Sequence, residues 1–501
     1  VDLAAHGLIP PDRPPRDPAG PGTVGQLLGD LDAASGRDVL IGRQARFTAG
    51  ELKKAVDRAT AALQALGIGP GDRVAVSLPN DADIVITFLA TIQAGALWVG
   101  INRSLATPEK TYLVADSQSA LLLAEPDTAE SMRTQRADLP ELRRVLGIDP
   151  DEPGDDWREA LGDAPEMPRP VTVDPLDPAA IAYTSGTTGF PKGAVHTQHN
   201  LLLPGTVTQR RDQYPKGGVL GVPLPLTVLN LIVLGPLVTL QNDMTLVAMD
   251  RIDAVGMAEW IQAEQITTFA AVPAMVHDLL NHPEVSDQML ASLDGIGVGG
   301  ADMPDAFRRL YADRFGRSVG TGYGLTEAPT AVTLEDPEET PVPGTCGKAL
   351  PQVCIHILDD RGGACAPGEV GEVCVGPATD GPFVDCYRPM LGYWNQPEAS
   401  REALAGGLLH TGDLGTLDDE GHLFIKDRKH DLIIRGGANV YPAEVERALH
   451  EDPGVAACAV IGLPDDRLGE RVAAFVQVVD GADLDETGLR SGCEQRLAVY
   501  K

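Results

Sequence analysis

The sequence predicts an α/β protein built as a large N-terminal domain of several subdomains and a small α+β C-terminal domain. Three observations predict it. Strand-like and helix-like apolar patterns alternate from about residue 51. Short strands between turn residues crowd residues 344–424, a small β-rich subdomain. A charged stretch at 427–431 then precedes a last helix-and-strand segment. Alternation at this rhythm is how helices come to cover a sheet. A chain of 501 residues also exceeds what one core serves.

Taken in order, residues 1–22 read as an irregular, proline-rich arm. Residues 51–66 carry apolar side chains at helical spacing and stop at Gly67, a residue type suited to helix C-termini. Residues 73–78 (RVAVSL) are a buried-strand pattern, and 82–94 are a helix closed near Gly95. Asp, Pro and Gly dominate 148–178, which predicts a surface loop, and 181–183 a short strand. A strand at 265–272, a strand end at 295–300 and a helix at 304–315 follow. Segments 353–358 and 371–375 lie between turn pairs such as Asp359-Asp360 and Gly362-Gly363. Residues 442–450 form a helix with Glu444 and Glu446 near its start, which suits the helix dipole. Strands at 455–461 and 471–479 close the chain. The expected domains are 1–427 and 428–501.

Composition narrows the function. A formal charge of −32 argues against a nucleic-acid partner. It leaves room for an anionic ligand, because a pocket is set by its local groups. The seven cysteines are scattered, with no disulfide framework and no close metal-type pair, so a reducing, cytoplasmic setting is expected. The N-terminus has no apolar core of the signal-peptide kind. The longest apolar stretch, 226–240, contains Asn230, Gly235 and Pro236, and is too short and broken for a membrane span.

The run YTSGTTGFPKG at 183–193 carries the most chemistry. It holds four Ser/Thr hydroxyls, three glycines and one lysine. Glycines let backbone amides approach an anion, hydroxyls and amides wrap a polyphosphate, and Lys192 adds a point charge. It is not a Walker loop: Gly186 and Gly189 are three apart, and Phe190-Pro191 intervene before the lysine. Four further segments are unusual. GVGGADMP (297–304) brings paired glycines, and GTGYGLTE (320–327) sets an aromatic among glycines. HTGDLG (410–415) offers a carboxylate on a tight turn. DRKHDLIIRGGANVYPAEVE (427–446) joins a charged stretch to a Gly-Gly turn.

In this order and spacing the five motifs resemble the adenylate-forming superfamily of acyl-CoA synthetases, luciferases and peptide-synthetase adenylation domains. The wording GGANVYPAEVE is most like that of free-standing acyl-CoA synthetases. The resemblance runs from about residue 25 to the end. It implies two α/β sheets packed by helices, and a C-terminal domain that moves between two half-reactions. A carboxylate and ATP give acyl-AMP and pyrophosphate, and coenzyme A then releases AMP.

The resemblance also implies roles for residues. Thr184, Ser185, Gly186, Thr187, Thr188, Gly189 and Lys192 would hold the β- and γ-phosphates, with Thr188 and Lys192 catalytic. Glu327 would bind Mg²⁺ with Thr184, since hard cations prefer oxygen ligands. Thr326 would contact the α-phosphate. Tyr323 would stack on adenine beside Gly300, Ala301 and Asp302, with Gly322, Gly324 and Leu325 along the nucleotide. Asp413 would accept the ribose hydroxyls, and Arg428 would touch ribose or phosphate. With Thr326 and Glu327, Arg428 completes the catalytic set. The pivot falls on His430, where Asp or Lys is usual. Gly436 and Gly437 would line the thiol approach.

Some positions depart from the pattern. Residues 222–230 (VPLPLTVLN) lack the aromatic gate common in relatives, and Gln198 replaces a frequent histidine. Leu226, Val228 and Ile232, with Val298, Gly299 and Gly322, would make an apolar acyl pocket for a fatty, aryl or alicyclic acid. Position 322 is Gly where dicarboxylate-specific relatives carry Arg. The chain stops at LAVYK, before a motif like PRTATGK whose lysine serves adenylation in the family, so a truncated chain or a missing tail is expected. Without that lysine, adenylation should fall by ~10²–10³. The expected partners are a small carboxylic acid and coenzyme A, with a homodimer an open option. The rival readings are an acyl-AMP ligase that loads a carrier-protein thiol, and a non-catalytic nucleotide binder of the same fold.

Overall fold

The computed structural model describes residues 1–149, 152, 154–184, 190–298, 311–314, 320–336, 339, 342–428, 433–452, 454–479 and 484–501. Two large sheets form the N-terminal region. The first has six strands, in the spatial order Arg144–Gly147, Leu121–Ala124, Arg73–Ser77, Leu97–Gly100, Pro178–Thr184 and Lys192–Thr197. Its strands are parallel except the last, which turns back antiparallel to its neighbour. The second has seven strands. It runs from Gly320–Thr321 through Gly295–Val298, Thr268–Ala271, Val219–Val222, Thr245–Ala248 and Asp38–Ile41 to Arg46–Thr48.

Local chemistry explains the helices between them. Ala49–Ala65 starts at Thr48, whose hydroxyl accepts from the Glu51 amide, while the Glu51 carboxylate accepts from the Thr48 amide at 2.9 Å. Leu52, Val56, Ala59 and Leu63 line its buried face. The helix ends before Gly67, at φ +82°, where a side chain would be strained. Ala82–Gln93 is capped by Asp81 and packs, buried nearly all round, between the first helix and the sheet.

Several expectations need correction. The predicted loop 148–178 contains a helix, Asp156–Asp163. Asp155 caps it, Trp157 buries into the core, and Arg158 pairs with Asp83 at 2.5 Å. Flanking prolines and acids hid it. The strand predicted at 265–272 is only Thr268–Ala271, because Gln265 at φ +51° ends the preceding helix and Pro273 starts the next. The arm 1–22 is irregular but docked: His6 stacks on Trp394 at 3.8 Å between ring centroids, and Leu8 is buried. Of the predicted helix 304–315, residues 311–314 are helical and the rest lie outside the described residues.

The β-rich section is a four-stranded antiparallel sheet, ordered Val353–Leu358, Gly371–Pro377, Leu409–Leu417 and Leu423–Arg428, with a helix Pro397–Ala403 beside it. Residues 433–501 form their own four-stranded sheet with two helices, Pro442–His450 and Glu486–Glu494. Ile433, Val440, Val445, Leu449, Val460 and Leu497 make a separate core there. The strands expected at 455–461 and 471–479 are one long hairpin, Val455–Asp465 with Gly469–Val478. Pro464 is tolerated because its strand is an edge.

Among the described residues, several side chains join this small body to the large one. Lys501 Nζ donates to Glu109 Oε1 at 2.6 Å and Glu444 Oε1 at 2.8 Å. Arg447 lies over the Phe190 ring at 4.0 Å, and Arg467 approaches Asp278 at 3.5 Å. Gly437, at φ +83°, sits so close to Val272 that an added Cβ would meet its Cγ1 at 2.5 Å.

Candidate active site

Two hairpins present the oxygen-rich residues. Pro178–Thr184 and Lys192–Thr197 pair antiparallel with Thr184 opposite Lys192. Residues 185–189 between them, Ser185, Gly186, Thr187, Thr188 and Gly189, lie outside the described residues. The strand is anchored below by Tyr183, which donates to Asp116 Oδ2 at 2.6 Å. Gly193 has no room for a side chain, since a Cβ would meet Ile181 Cγ2 at 2.6 Å. In the second hairpin Gly324–Leu325 pairs with Thr330–Ala331, which leaves Thr326 and Glu327 on the turn between them.

The hairpins meet at Glu327. Its Oε1 accepts from the Tyr393 phenol at 2.8 Å and stands 3.4 Å from the Thr184 hydroxyl. Lys192 Nζ lies over the Tyr393 ring, 5.3 Å from its centroid. Met390 donates its amide to the Glu327 carbonyl at 3.1 Å, which fixes the turn against 390–394. Burial, and then the Glu327 charge, push the Tyr393 phenol well above its usual range, so it stays a donor. Beneath the turn His196 is fully buried. Burial drives its pKa down to about 3, with the Thr326 backbone opposing, so the ring is neutral.

A second group forms on the small antiparallel sheet. Tyr323 donates to Asp413 Oδ2 at 2.5 Å, and both residues are buried. Asp413 reaches this place through a bulge: from Glu372 to Cys374 the neighbouring strand advances two residues while its partner advances four, from Leu414 to His410. Gly412, at φ +74°, makes that turn. Across the next ladder Asp413 pairs in register with Arg428, the last residue before 429–432, which lie outside the described residues with His430 among them.

The remaining expected residues divide. Gly299, Gly300, Ala301 and Asp302 lie outside the described residues. Leu226 and Ile232 are fully buried in the large core, and Val228 is 39% exposed. The Leu226 amide donates to Asn80 Oδ1 at 2.9 Å. At Gly322 a Cβ would meet the Thr333 carbonyl oxygen at 2.6 Å, so the backbone passes too closely for a side chain. Gly436 and Gly437 turn at φ +58° and +83°, with Gly437 against Val272.

Sequence reasoning missed Tyr393, the residue that ties Glu327 to Lys192. Its signal was present: the adjacent aromatics Tyr393-Trp394 in a chain with 4% aromatic residues. Their use depends on a fold contact between 390–394 and two distant hairpins. Sequence reasoning also missed Glu109, Glu444 and Lys501, whose charges meet only in three dimensions.

Comparison with known proteins agrees with this geometry. The model of the AMP-binding enzymes matches residues 31–394, and the AMP-binding enzyme C-terminal domain matches 444–501. A feruloyl-CoA synthase of Amycolatopsis sp is 35% identical over 460 residues, covering 91% of this chain and 88% of that protein. The long-chain-fatty-acid–CoA ligase FadD13 of Mycobacterium tuberculosis is 34% identical over 470 residues, covering 91% and 88%. The amide bond synthetase McbA of Marinactinospora thermotolerans superposes with a TM-score of 0.82 at 31% identity, covering 95% of this chain and 94% of that one. A catalytic-type hairpin pair, a carboxylate–phenol–lysine contact and relatives of this length and identity lead to one conclusion: the chain belongs to the AMP-binding enzymes, the adenylate-forming superfamily that includes the acyl-CoA synthetases.

Proposed function

We propose that the protein activates an apolar carboxylic acid, fatty, aryl or alicyclic, with ATP and passes the acyl group to coenzyme A. The observation that carries this reading is the convergence of Thr184, Lys192, Tyr393 and Glu327. The carboxylate of the acid attacks the α-phosphate, and pyrophosphate leaves. The thiol then attacks the acyl carbon and AMP leaves. Such transfers need charge placed in advance more than covalent help.

Each residue has a stated share. The run 184–192 cradles the β- and γ-phosphates, with Lys192 held by the Tyr393 face. Thr326 meets the α-phosphate from the turn. Asp413, steadied by Tyr323, takes ribose, with Arg428 beside it in register. The Glu327 and Thr184 oxygens, 3.4 Å apart, are the hard donors that suit Mg²⁺. When bound, Mg²⁺ supplies charge neutralisation at the phosphates. The closed backbone at Gly322 and the apolar residues Leu226 and Ile232 support an acid without a second charge. Residues 1–427 act as the activating domain and 428–501 as the moving one, with its pivot near His430 and Gly436-Gly437 at the thiol approach.

Seven cysteines, all free, support a cytoplasmic site of action. No helix among the described residues is long and apolar enough to cross a membrane. A homodimer is the assembly to be read by light scattering.

Pyrophosphate release across a panel of fatty, aryl and alicyclic acids, with and without coenzyme A, tests the reading. Acid-dependent release, with acyl-CoA formed only when coenzyme A is present, is expected. Silence across the panel, or ATP turnover indifferent to the acid, overturns it.

A further inference from the structure

Away from the Glu327 turn, three lone-pair atoms converge on the small antiparallel sheet. Cys374 and His410 face each other in register on Gly371–Pro377 and Leu409–Leu417. His410 Nδ1 lies 3.4 Å from Cys374 Sγ and 3.2 Å from Glu372 Oε2. All three ligand atoms fall within 4.8 Å of one another. Cys374 is fully buried, while the Glu372 and His410 side chains are 17% and 25% exposed.

Thiol, imidazole and carboxylate each offer one lone-pair atom to the same small volume. The spacing fits a single metal ion. Zn²⁺ bonds sulfur at about 2.3 Å and nitrogen or oxygen at about 2.0–2.2 Å, which sets tetrahedral ligand atoms about 3.3–3.7 Å apart.

We propose that Cys374, His410 and Glu372 bind a thiophilic divalent cation of the Zn²⁺ class, with a fourth position open to solvent on the exposed side. Thiolate and imidazole select such a metal over Mg²⁺, so this site is separate in chemistry and residues from Glu327 and Thr184. On binding, the Cys374 thiol gives its proton to solvent and its sulfur bonds the metal; no oxidation state changes. The site has a structural consequence. Glu372 Oε1 accepts the Gly412 amide at 3.2 Å while Oε2 faces His410, so a metal on Oε2 braces the bulge that carries Asp413.

The test uses the full chain, stripped by chelator. Co²⁺ is added as the spectroscopic probe, and Zn²⁺ in competition with a chromophoric chelator. One Zn²⁺ per chain is expected, and an intense thiolate-to-Co²⁺ charge-transfer band that Zn²⁺ displaces. Cys374→Ser should abolish the band. Glu372→Gln should keep the band and weaken Zn²⁺ by about 10–100-fold, which serves should the serine variant fail to fold. A wild-type chain with no charge-transfer band overturns the proposal. So does a band that survives Cys374→Ser, because the thiolate would then lie elsewhere. Zn²⁺ affinity unchanged in Glu372→Gln overturns the three-ligand site.

Discussion

Replacing Tyr393 with Phe removes one oxygen and keeps the ring under Lys192. The bond lost runs 2.8 Å from the phenol to Glu327 Oε1. Hydrogen bonds to charged groups are worth about 1.5–3 kcal/mol. Glu327 keeps the Thr184 hydroxyl nearby and its carbonyl bond from Met390, so the turn itself stays in place. The lower end of the range therefore applies: about 1.5 kcal/mol, roughly a tenfold effect. What is lost is the aim of the carboxylate, so the cost should fall on Mg²⁺ rather than on the acid. Acid-dependent ATP–pyrophosphate exchange, measured against Mg²⁺ at saturating ATP, should show half-saturation raised about tenfold, with the KM for the acid unchanged. An unaltered Mg²⁺ dependence would refute the idea that Tyr393 orients Glu327.

Three further outcomes are expected. His196 takes a proton near pH 3 when folded against 6.5 unfolded. The unfolded chain binds more protons in that window, so stability falls as pH drops; urea titrations at about pH 7 and about pH 5.5 should show the wild type losing about 1.3 kcal/mol more than His196→Leu, and equal losses would contradict the neutral buried ring. Gly437→Ala adds a Cβ against Val272 at a positive φ, so acyl-CoA formation should slow about tenfold or more while acyl-adenylate formation persists; parallel loss of both steps counts against a thiol-step role. Lys501→Met leaves the Glu109 and Glu444 carboxylates buried together without their cation, costing about 3 kcal/mol in chemical denaturation. A change below about 1 kcal/mol would show that the pair is solvated in solution.

Much of the fold was legible because its signals are local. The helical spacing of 51–66, its stop at Gly67 and the buried-strand pattern of 73–78 are each read within a few residues. The helix Asp156–Asp163 was not legible: its eight residues are held by Trp157 in the distant core and by Arg158 on Asp83, neither of which composition records. Thr184, Glu327, Tyr323 and Asp413 were singled out by motif order, and the structure brings them together in pairs. Tyr393 was not, because its role arises where three chain segments far apart in sequence touch. Cys374 and His410 escaped for the same reason: cysteine spacing finds ligands along one strand, and these face each other across two.

The Arg447 guanidinium over the Phe190 ring joins the small body to the first described residue after 185–189. A cation over an aromatic face at a partly exposed site is worth about 0.5–1 kcal/mol. That is a bias of roughly two- to fivefold, too weak to act as a lock. If the small body moves as proposed above, this contact therefore gives way at little cost and re-forms as readily, and it does not by itself set which pose the body takes.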